Sequence, residues 1–482
     1  MKRNLFKNYI FYILYQVFSI LIPFLVVPYT TRVLGAQALG TNALSSSFVQ
    51  WFVIFGYMGI AIYGNKEIAR VRDDREKLSR TFMGIFIMQV LNMLVALVLY
   101  FVFIYFVGVN EKTIYYIQGF ALLATIFDIT WFFLGVEDFK KASLRSIFFR
   151  VVNVALIFIF VKSSQDLSTF VWINVLTSIA SQVVLFFQLK DYIDFRFVSI
   201  TSAYREHLKG NLVLFVPQIA ISIYSVLDQT MTGLIADEVQ LAYYQQAIRF
   251  DKMFLYFITS IGMVMLPRIA NEHAKGAVDT IHLYLNYTLK LALYLSIPMM
   301  FGMMGVAPFF IKWFLAPEFE IVGFLIALMS PIIIFIALSN VFGTQFLVPT
   351  NRIKAYSHSV IVGALVNFIM NLILLPMFGA IGAAISVLAA ELSVTGYQLF
   401  AIRGLIKWDI RLKNLLIYTC SGLVMGITVY LIGSNLKANI ITNLIQVSIG
   451  GLLYMTLLTM LKEDFHMIVL ENIKKIIKRR KI

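Results

Sequence analysis

The sequence predicts an all-α, polytopic membrane protein with about fourteen transmembrane helices. Of its 482 residues, 60% are hydrophobic and only 13% are charged, and the mean hydropathy of +0.84 is outside the range of soluble globular proteins. Apolar runs of about 20 residues, the length that crosses about 30 Å of hydrocarbon as a helix, recur along the chain. These runs lack the alternation of apolar and polar residues over about ten residues that is typical of a membrane β-strand. Helices are the other structure that satisfies its backbone hydrogen bonds in lipid, so the runs are predicted to be helical.

The predicted spans follow one another with short connections. They are 9–29, 42–63, 82–107, 114–135, 144–161, 168–189, 211–235, 250–270, 284–309, 321–347, 356–376, 379–401, 414–432 and 440–461. A longer polar connection, 191–209, separates the sixth span from the seventh. We therefore predict two lobes of six helices each, 1–190 and 210–402, followed by two further helices in 403–461 and a tail in 462–482.

Charge is distributed unevenly over the predicted connections. Most of the 40 lysine and arginine residues fall on the side that carries both termini, and this bias predicts that both termini are cytoplasmic in a protein of the cell membrane. The net charge of +15 is explained by basic residues that are spread over the connections on one side of the membrane. Nucleic acid is therefore not an expected partner. In the tail, 462–482, apolar residues near helical spacing alternate with lysine and arginine, which predicts an interfacial helix on anionic lipid.

The turn after the first span carries an arginine beside two glycines, in the segment Pro28-Tyr-Thr-Thr-Arg32-Val-Leu-Gly35-Ala-Gln-Ala-Leu-Gly40. A guanidinium near hydrocarbon needs water or an anionic partner, so Arg32 is a candidate ligand contact. The alternative is that Arg32 reaches the membrane interface and caps its helix. Both interpretations remain open on position alone.

A weak internal repeat supports the two-lobe division. The segment Leu34–Gly40 after the first span is similar in position to 234–247 after the seventh. Six helices separate the two turns, so they lie on the same predicted external side and the repeat is parallel. Two lobes that face each other leave a central cleft, into which polar groups at membrane depth are expected to point.

Few charged residues lie within or beside the spans, and the candidate site residues are chosen from among them. Arg150, Arg249 and Lys252 are, together with Arg32, candidate contacts for an anionic head-group. Arg32 and Arg249 occupy the corresponding turn regions of the two halves, which leaves a two-sided phosphate clamp and two unrelated interface arginines as alternatives. Asp128, Asp228 and Glu391 are candidates for ion coupling or for polar contacts between helices.

Several chemistries find no support in the sequence. It contains no P-loop motif, its five histidines show no metal-ligand spacing, and its single cysteine, Cys420, cannot form an internal disulfide. The predicted external loops are short and carry no histidine, which disfavours an enzyme that would need an acid or base there. We therefore predict a protein that moves a substrate, with no catalytic residues, no metal and no cofactor.

Three segments resemble the lipid-linked oligosaccharide flippases of the polysaccharide transport family (the Wzx type), in the multidrug/oligosaccharidyl-lipid/polysaccharide (MOP) exporter superfamily. They are Arg32-Val-Leu-Gly35 with Gly40, Asp128-Ile-Thr-Trp-Phe-Phe-Leu-Gly-Val-Glu-Asp-Phe139, and Leu227-Asp-Gln-Thr-Met-Thr-Gly233 leading to Tyr243, Tyr244 and Ala247. One departure is Leu241, where the family pattern favours glycine.

This resemblance implies a V-shaped pair of helical bundles that alternates between inward-open and outward-open states. The implied substrate is an undecaprenyl-pyrophosphate-linked sugar repeat unit, flipped to the outer leaflet for capsule, exopolysaccharide, O-antigen or wall polymer, with Arg32 as a diphosphate contact. The alternatives are a cation-coupled drug or metabolite exporter of the same superfamily, a membrane-embedded enzyme of glycan assembly, and a scaffold that contacts glycan-assembly proteins through the basic tail.

Overall fold

The computed structural model describes residues 2–108, 111–194, 200–409 and 411–479, and this part of the chain contains helices and no strand. The α-helices are α1 (Lys2–Tyr57), α2 (Ile60–Val71), α3 (Arg75–Phe106), α4 (Lys112–Gly119), α5 (Ala121–Ile126), α6 (Thr130–Gly135), α7 (Phe139–Phe160), α8 (Leu167–Phe186), α9 (Ile200–Met231), α10 (Glu238–Ala274), α11 (Val278–Phe314), α12 (Ile321–Met329), α13 (Ile332–Ser339), α14 (Ile353–Phe378), α15 (Ala380–Ala401), α16 (Leu412–Asn435), α17 (Ile440–Met460) and α18 (Asp464–Arg479). Two π-helical segments, Thr232–Ala236 and Asn340–Leu347, interrupt this pattern.

The all-α prediction is confirmed. Among the described residues, ten helices are long and apolar enough to cross a membrane, or eleven if the bent pair Pro317–Met329 and Ile332–Leu347 forms one span. The count of fourteen stays a prediction.

Contacts divide the chain into two compact units, unit 1 (Met1–Leu241) and unit 2 (Ala242–Ile482). The helix that covers the seventh predicted span, α9, packs against α1, α2 and α3 of unit 1. The boundary between the units therefore lies after the predicted connection 191–209, part of which, 195–199, is outside the described residues. The two-lobe organisation predicted from the sequence remains a proposal.

Gly35 bends α1 into two arms. Its φ of 79° and ψ of 175° lie outside helical values, and glycine reaches a positive φ without a steric penalty. The glycine-bent turn predicted after the first span is thereby confirmed. The arm before Gly35 is tied to α7, because the Tyr29 hydroxyl donates a 2.6 Å hydrogen bond to the Val161 carbonyl.

The fourth predicted span, 114–135, is three short helices, α4 to α6, rather than one. The backbone between α5 and α6 leaves carbonyls without helical partners, and the amide of the buried Gln89 in α3 compensates for this. Its Nε2 donates to the carbonyls of Thr125, Ile126 and Asp128 at 2.9, 3.0 and 3.0 Å. Its Oε1 accepts from Trp131 Nε1 at 3.0 Å. Non-helical backbone at membrane depth is tolerated where protein groups satisfy it in this way.

Aromatic packing fixes the position of α6 in unit 1. Trp131 and Phe132 are fully buried and contact Phe82 of α3 at ring-centroid distances of 5.6 and 5.1 Å. A Cβ on Gly64 of α2 would lie 2.5 Å from the Trp131 ring, so α2 approaches α6 at a position that glycine permits. This packing of α6 against α2 and α3 fixes where α7, the next helix, begins.

In unit 2, α11 packs against α12, α13, α16 and α17. The tenth predicted span bends by 45° at the break before α13, where Pro331 cannot donate a backbone hydrogen bond. α14 and α15 form a tight hairpin at Gly379, whose φ is 53°, and a Cβ on Gly382 would lie 2.4 Å from the Leu374 carbonyl oxygen.

The first turn of α18 is anchored in unit 2. His466 is buried, with its Nδ1 3.0 Å from the Tyr294 hydroxyl and its Nε2 2.9 Å from Thr459 Oγ1. The buried Glu463 accepts a 2.7 Å hydrogen bond from the His466 amide. Burial lowers the pKa of His466 below its ordinary value, while Glu463 acts in the opposite direction.

We predict that α18 loosens as the pH falls. Docking of α18 favours the neutral imidazole of His466, so this imidazole binds a proton more tightly when the helix is released. Docking therefore weakens as the pH falls below about 6.5, the ordinary pKa of histidine. Hydrogen exchange of residues 464–472 is expected to rise at pH 5.5 relative to pH 7.5, after correction for intrinsic rates. The variant His466→Gln should lose this dependence, whereas the exposed His273→Gln should retain it. Equal exchange at both pH values in the parent protein would contradict the prediction.

Candidate functional site

A polar cavity of about 530 Å³ lies among α6, α7 and α8 in unit 1. Its lining combines three charged groups with hydroxyl and amide side chains. The lining residues are Asp128, Thr130, Leu134, Phe139, Ala142, Ser143, Arg145, Ser146, Phe149, Arg150, Asn153, Asn174, Thr177, Ser178, Ser181 and Gln182. Since α7 and α8 are candidate membrane spans, this is polar surface that is costly to place in hydrocarbon.

Asp128 lies on the cavity wall because the break between α5 and α6 places it there. Its backbone carbonyl is held by Gln89, and its Oδ1 accepts a 3.0 Å hydrogen bond from the Thr130 amide. The carboxylate therefore satisfies a free amide at the start of α6 and supplies a negative charge to the cavity. The sequence singled out Asp128 but not the break that orients it.

Two arginines of α7 face the same cavity. Arg150 is half-buried, and its predicted position in a cleft between two lobes stays a prediction. Arg145 is 9% exposed, donating from Nη1 to Gln182 Oε1 of α8 at 2.7 Å and from Nη2 to Ser146 Oγ at 3.0 Å. Arg145 is not among the predicted site residues: it lies at the edge of the predicted span 144–161 and is grouped there with the basic residues of the cytoplasmic connection 137–145, whereas α7 starts at Phe139. Positions 142, 145, 146, 149, 150 and 153 share one helical face, and this spacing could have identified it.

The inner part of the cavity is a neutral hydrogen-bonding cluster. Asn153 Nδ2 donates to Asn174 Oδ1 at 3.0 Å and to Thr177 Oγ1 at 2.9 Å. Asn174 and Thr177 are themselves held by the carbonyls of Phe170 and Ile173, at 2.9 and 2.6 Å. These side chains are therefore oriented before any ligand arrives, which lowers the entropic cost of binding.

The cavity's charged lining is two guanidinium groups and one carboxylate, a formal charge of +1. Planar guanidinium groups bind phosphate or carboxylate oxygens with paired hydrogen bonds. Hydroxyl and amide groups complement sugar hydroxyls. The arrangement is suited to an anionic, hydroxyl-rich head-group.

A second cavity of about 850 Å³ shares Arg145 and Phe149 with the first. Its lining includes Lys140, Lys141 and Tyr192, on the side predicted to be cytoplasmic. Lys141 already pairs with Asp191 at 2.9 Å and lies 4.6 Å from the centre of the Tyr192 ring. Arg145 therefore stands in the wall between the two cavities.

The other predicted site residues lie elsewhere. Arg32 is exposed in unit 1 and donates from Nη1 to the Pro28 carbonyl of its own helix at 3.3 Å. Arg249 is half-buried and Lys252 exposed in α10, within unit 2, so the clamp between Arg32 and Arg249 stays a prediction. The remaining candidate acids, Asp228 in α9 and Glu391 in α15, are buried and half-buried respectively.

The chain belongs to the polysaccharide biosynthesis protein family, whose model matches residues 5–273. A second family model, MatE, matches residues 214–390. The chain is therefore a multi-pass membrane protein of a transporter superfamily, as predicted.

Among individual relatives, the chain is 24% identical over 406 residues to a "Putative O-antigen transporter" of Escherichia coli (strain K12), covering 83% of this chain and 97% of the relative. It is 20% identical over 261 residues to the "Probable low-salt glycan biosynthesis flippase Agl15" of Haloferax volcanii, covering 53% of this chain and 54% of that one.

Solved structures show the same fold. The chain aligns with "Lipid II flippase MurJ, inward closed conformation" at a TM-score of 0.76 and 17% identity, over 95% of this chain and 99% of that one. It aligns with an inward-facing multidrug resistance MATE family transporter of the MOP superfamily at 0.58 and 13% identity, over 88% and 95%.

We predict that Gln89→Leu displaces Asp128 and lowers stability. The substitution removes the hydrogen bonds that Gln89 makes to three carbonyls and to the Trp131 indole, and each buried group left unsatisfied costs about 1–3 kcal/mol. The apparent melting temperature in detergent should fall by several degrees. The exposed Gln50→Leu, in α1, is the matched control. Unchanged melting of Gln89→Leu would show that Gln89 does not support the break.

Proposed function

We propose that this protein is a flippase that moves undecaprenyl-pyrophosphate-linked oligosaccharide repeat units from the cytoplasmic to the outer leaflet by alternating access. The observation that carries the proposal is the polar cavity with a formal charge of +1 between α6, α7 and α8. Family membership and the names of the relatives support a role in the export of lipid-linked glycans. The product would be an extracellular polysaccharide.

The cavity's parts suit the parts of such a head-group. Arg145 and Arg150 would hold phosphate oxygens, and Asn153, Asn174 and Thr177 would hold sugar hydroxyls. The volume of about 530 Å³ is within the range of about 300–1,000 Å³ that small-molecule sites occupy. Asp128 would limit the affinity for the diphosphate, so that the ligand can also leave.

The remaining predicted residues take roles consistent with this cycle. Arg32, Arg249 and Lys252 would contact the diphosphate during its passage through the cleft. Asp128, Asp228 and Glu391 would serve ion coupling or interhelix contacts. Outward movement of the diphosphate also follows the membrane potential, which contributes about 2.3 kcal/mol per charge per 100 mV.

We further propose a cell-membrane location with both termini in the cytoplasm and no catalytic activity. The tail helix α18 would lie on anionic lipid, since Met467 and Ile468 are exposed next to its anchored first turn. The prediction of an amphipathic tail rests on Phe465, Val469, Ile473, Ile476 and Ile477. Phe465 is buried and Val469 packs against the core of unit 2, whereas the side chains of the three isoleucines lie outside the described residues.

A cation-coupled drug exporter is the second candidate, favoured by the MatE match to residues 214–390. Such a site is expected to be acidic and aromatic, whereas the charged residues of this cavity are two arginines and one aspartate. Reconstituted protein would separate the two functions: a flippase exposes a lipid-linked sugar at the far leaflet without chemical change, and an exporter accumulates a cationic dye.

We predict that Arg145→Gln and Arg150→Gln each slow flipping by at least about tenfold, because each removes charge-assisted hydrogen bonds worth about 1.5–3 kcal/mol. The lysine variants should retain more activity, since lysine keeps the charge without the paired geometry. The exposed Arg205→Gln in α9 is the control. Flipping is measured in proteoliposomes, at matched protein content, with a fluorescent lipid-linked oligosaccharide. Full activity in both glutamine variants would exclude this cavity as the head-group site.

A further inference from the structure

One face of α1 after Gly35 packs along the end of α9 and the start of α10, all within unit 1. We call this contact the α1–α9 seam. Its residues are Gln37, Gly40, Thr41, Leu44, Ser47 and Trp51 on α1, against Thr230, Gly233 and Glu238. The α1 residues are three or four apart and so share one helical face.

Glu238 makes the polar contact at the predicted external end of the seam. Its Oε2 accepts hydrogen bonds from Gln37 Nε2 at 2.6 Å and from Thr41 Oγ1 at 2.5 Å. One carboxylate therefore joins two side chains of α1, and hydrogen bonds to an ionised acceptor are stronger than neutral ones.

The backbones meet at the same point. A Cβ on Gly40 would lie 1.9 Å from the Glu238 carbonyl oxygen, so any larger residue at position 40 would push α1 and α10 apart. Gly40 and Glu238 lie in the two turns of the predicted internal repeat, one in each predicted lobe.

Further along, the seam is held by neutral contacts. Thr230 Oγ1 accepts from Trp51 Nε1 at 3.0 Å and lies 3.1 Å from Ser47 Oγ. A Cβ on Gly233 would lie 2.7 Å from Leu44 Cδ1. Gly233 belongs to the π-helical segment Thr232–Ala236, and π-helical turns within helices often occur at functional positions.

We propose that Glu238 is the latch of an external gate, which closes the α1–α9 seam and must release for substrate to leave on that side. The proposal rests on the transport cycle of the proposed function. Glu238 is suited to the role because its single carboxylate accepts both hydrogen bonds from α1, so the two can break together. The neutral contacts further along the seam are individually weaker. As a gating residue it would act on the opening of the path rather than on head-group binding.

The first test measures access to the seam without any substrate. Ser47→Cys is introduced with Cys420→Ser, and whole cells are treated with a membrane-impermeant maleimide. Ser47 is fully buried, so labelling should be slow in this background and at least fivefold faster when Glu238→Ala or Gly40→Ala is added. Glu320→Ala is the control, because this exposed acid pairs with Lys312 at 3.0 Å on the same predicted side. Equal labelling in all four proteins would overturn the proposal.

The second test locks the gate. Thr41→Cys with Glu238→Cys, in the Cys420→Ser background, should form a disulfide on oxidation, slow flipping at least tenfold and recover on reduction. Lys312→Cys with Glu320→Cys is the control pair, whose oxidation should leave flipping unchanged. Undiminished flipping after complete cross-linking, or no cross-link at all, would overturn the latch.

The two failures can be told apart. If the reduced double-cysteine protein and the parent both fail to move lipid-linked oligosaccharide, the proposed function fails, and the labelling experiment still decides whether Glu238 closes the seam.

Discussion

The structure depends on how an interrupted membrane span satisfies its backbone. A straight helix in place of α4–α6 would make all of its own hydrogen bonds, whereas the observed break leaves carbonyls that hydrocarbon cannot solvate. The two N–H groups of the Gln89 amide are shared among three carbonyls of the break, and its oxygen accepts from Trp131. One buried amide therefore permits a non-helical segment and fixes its direction. The position of Asp128, and with it one wall of the cavity, follows from that segment.

Two of the three charged groups of the cavity are placed beside compensating partners. Arg145 is bonded to Gln182 and Ser146, and Asp128 accepts from a backbone amide. A single carboxylate reduces the repulsion between two guanidinium groups without cancelling their charge. In the proposed flippase, such a balance would favour an anion that binds and then departs.

The sequence predicted the helical class, the glycine bend at Gly35 and the likeness to transporters of lipid-linked glycans, because hydropathy, turn residues and short motifs are local properties. It also placed Asp128 and Arg150 among the candidate site residues, since charge within an apolar run is conspicuous. It did not predict the break before α6, because the partner that permits it, Gln89, is a neutral residue on another helix. Arg145 was missed for a related reason: α7 begins several residues earlier than hydropathy indicates, so a buried arginine was counted with the polar connection.

The position of Arg145 in the wall between the two cavities has a consequence for the permeability of the membrane. Carriers with water-filled crevices risk conducting potassium ions or protons along the electrical gradient. A fixed positive charge in the wall of a polar cavity raises the electrostatic barrier for small cations and attracts anions. In the proposed flippase, the guanidinium that recognises a substrate's phosphate would in this way also limit the leakage of small cations across the membrane.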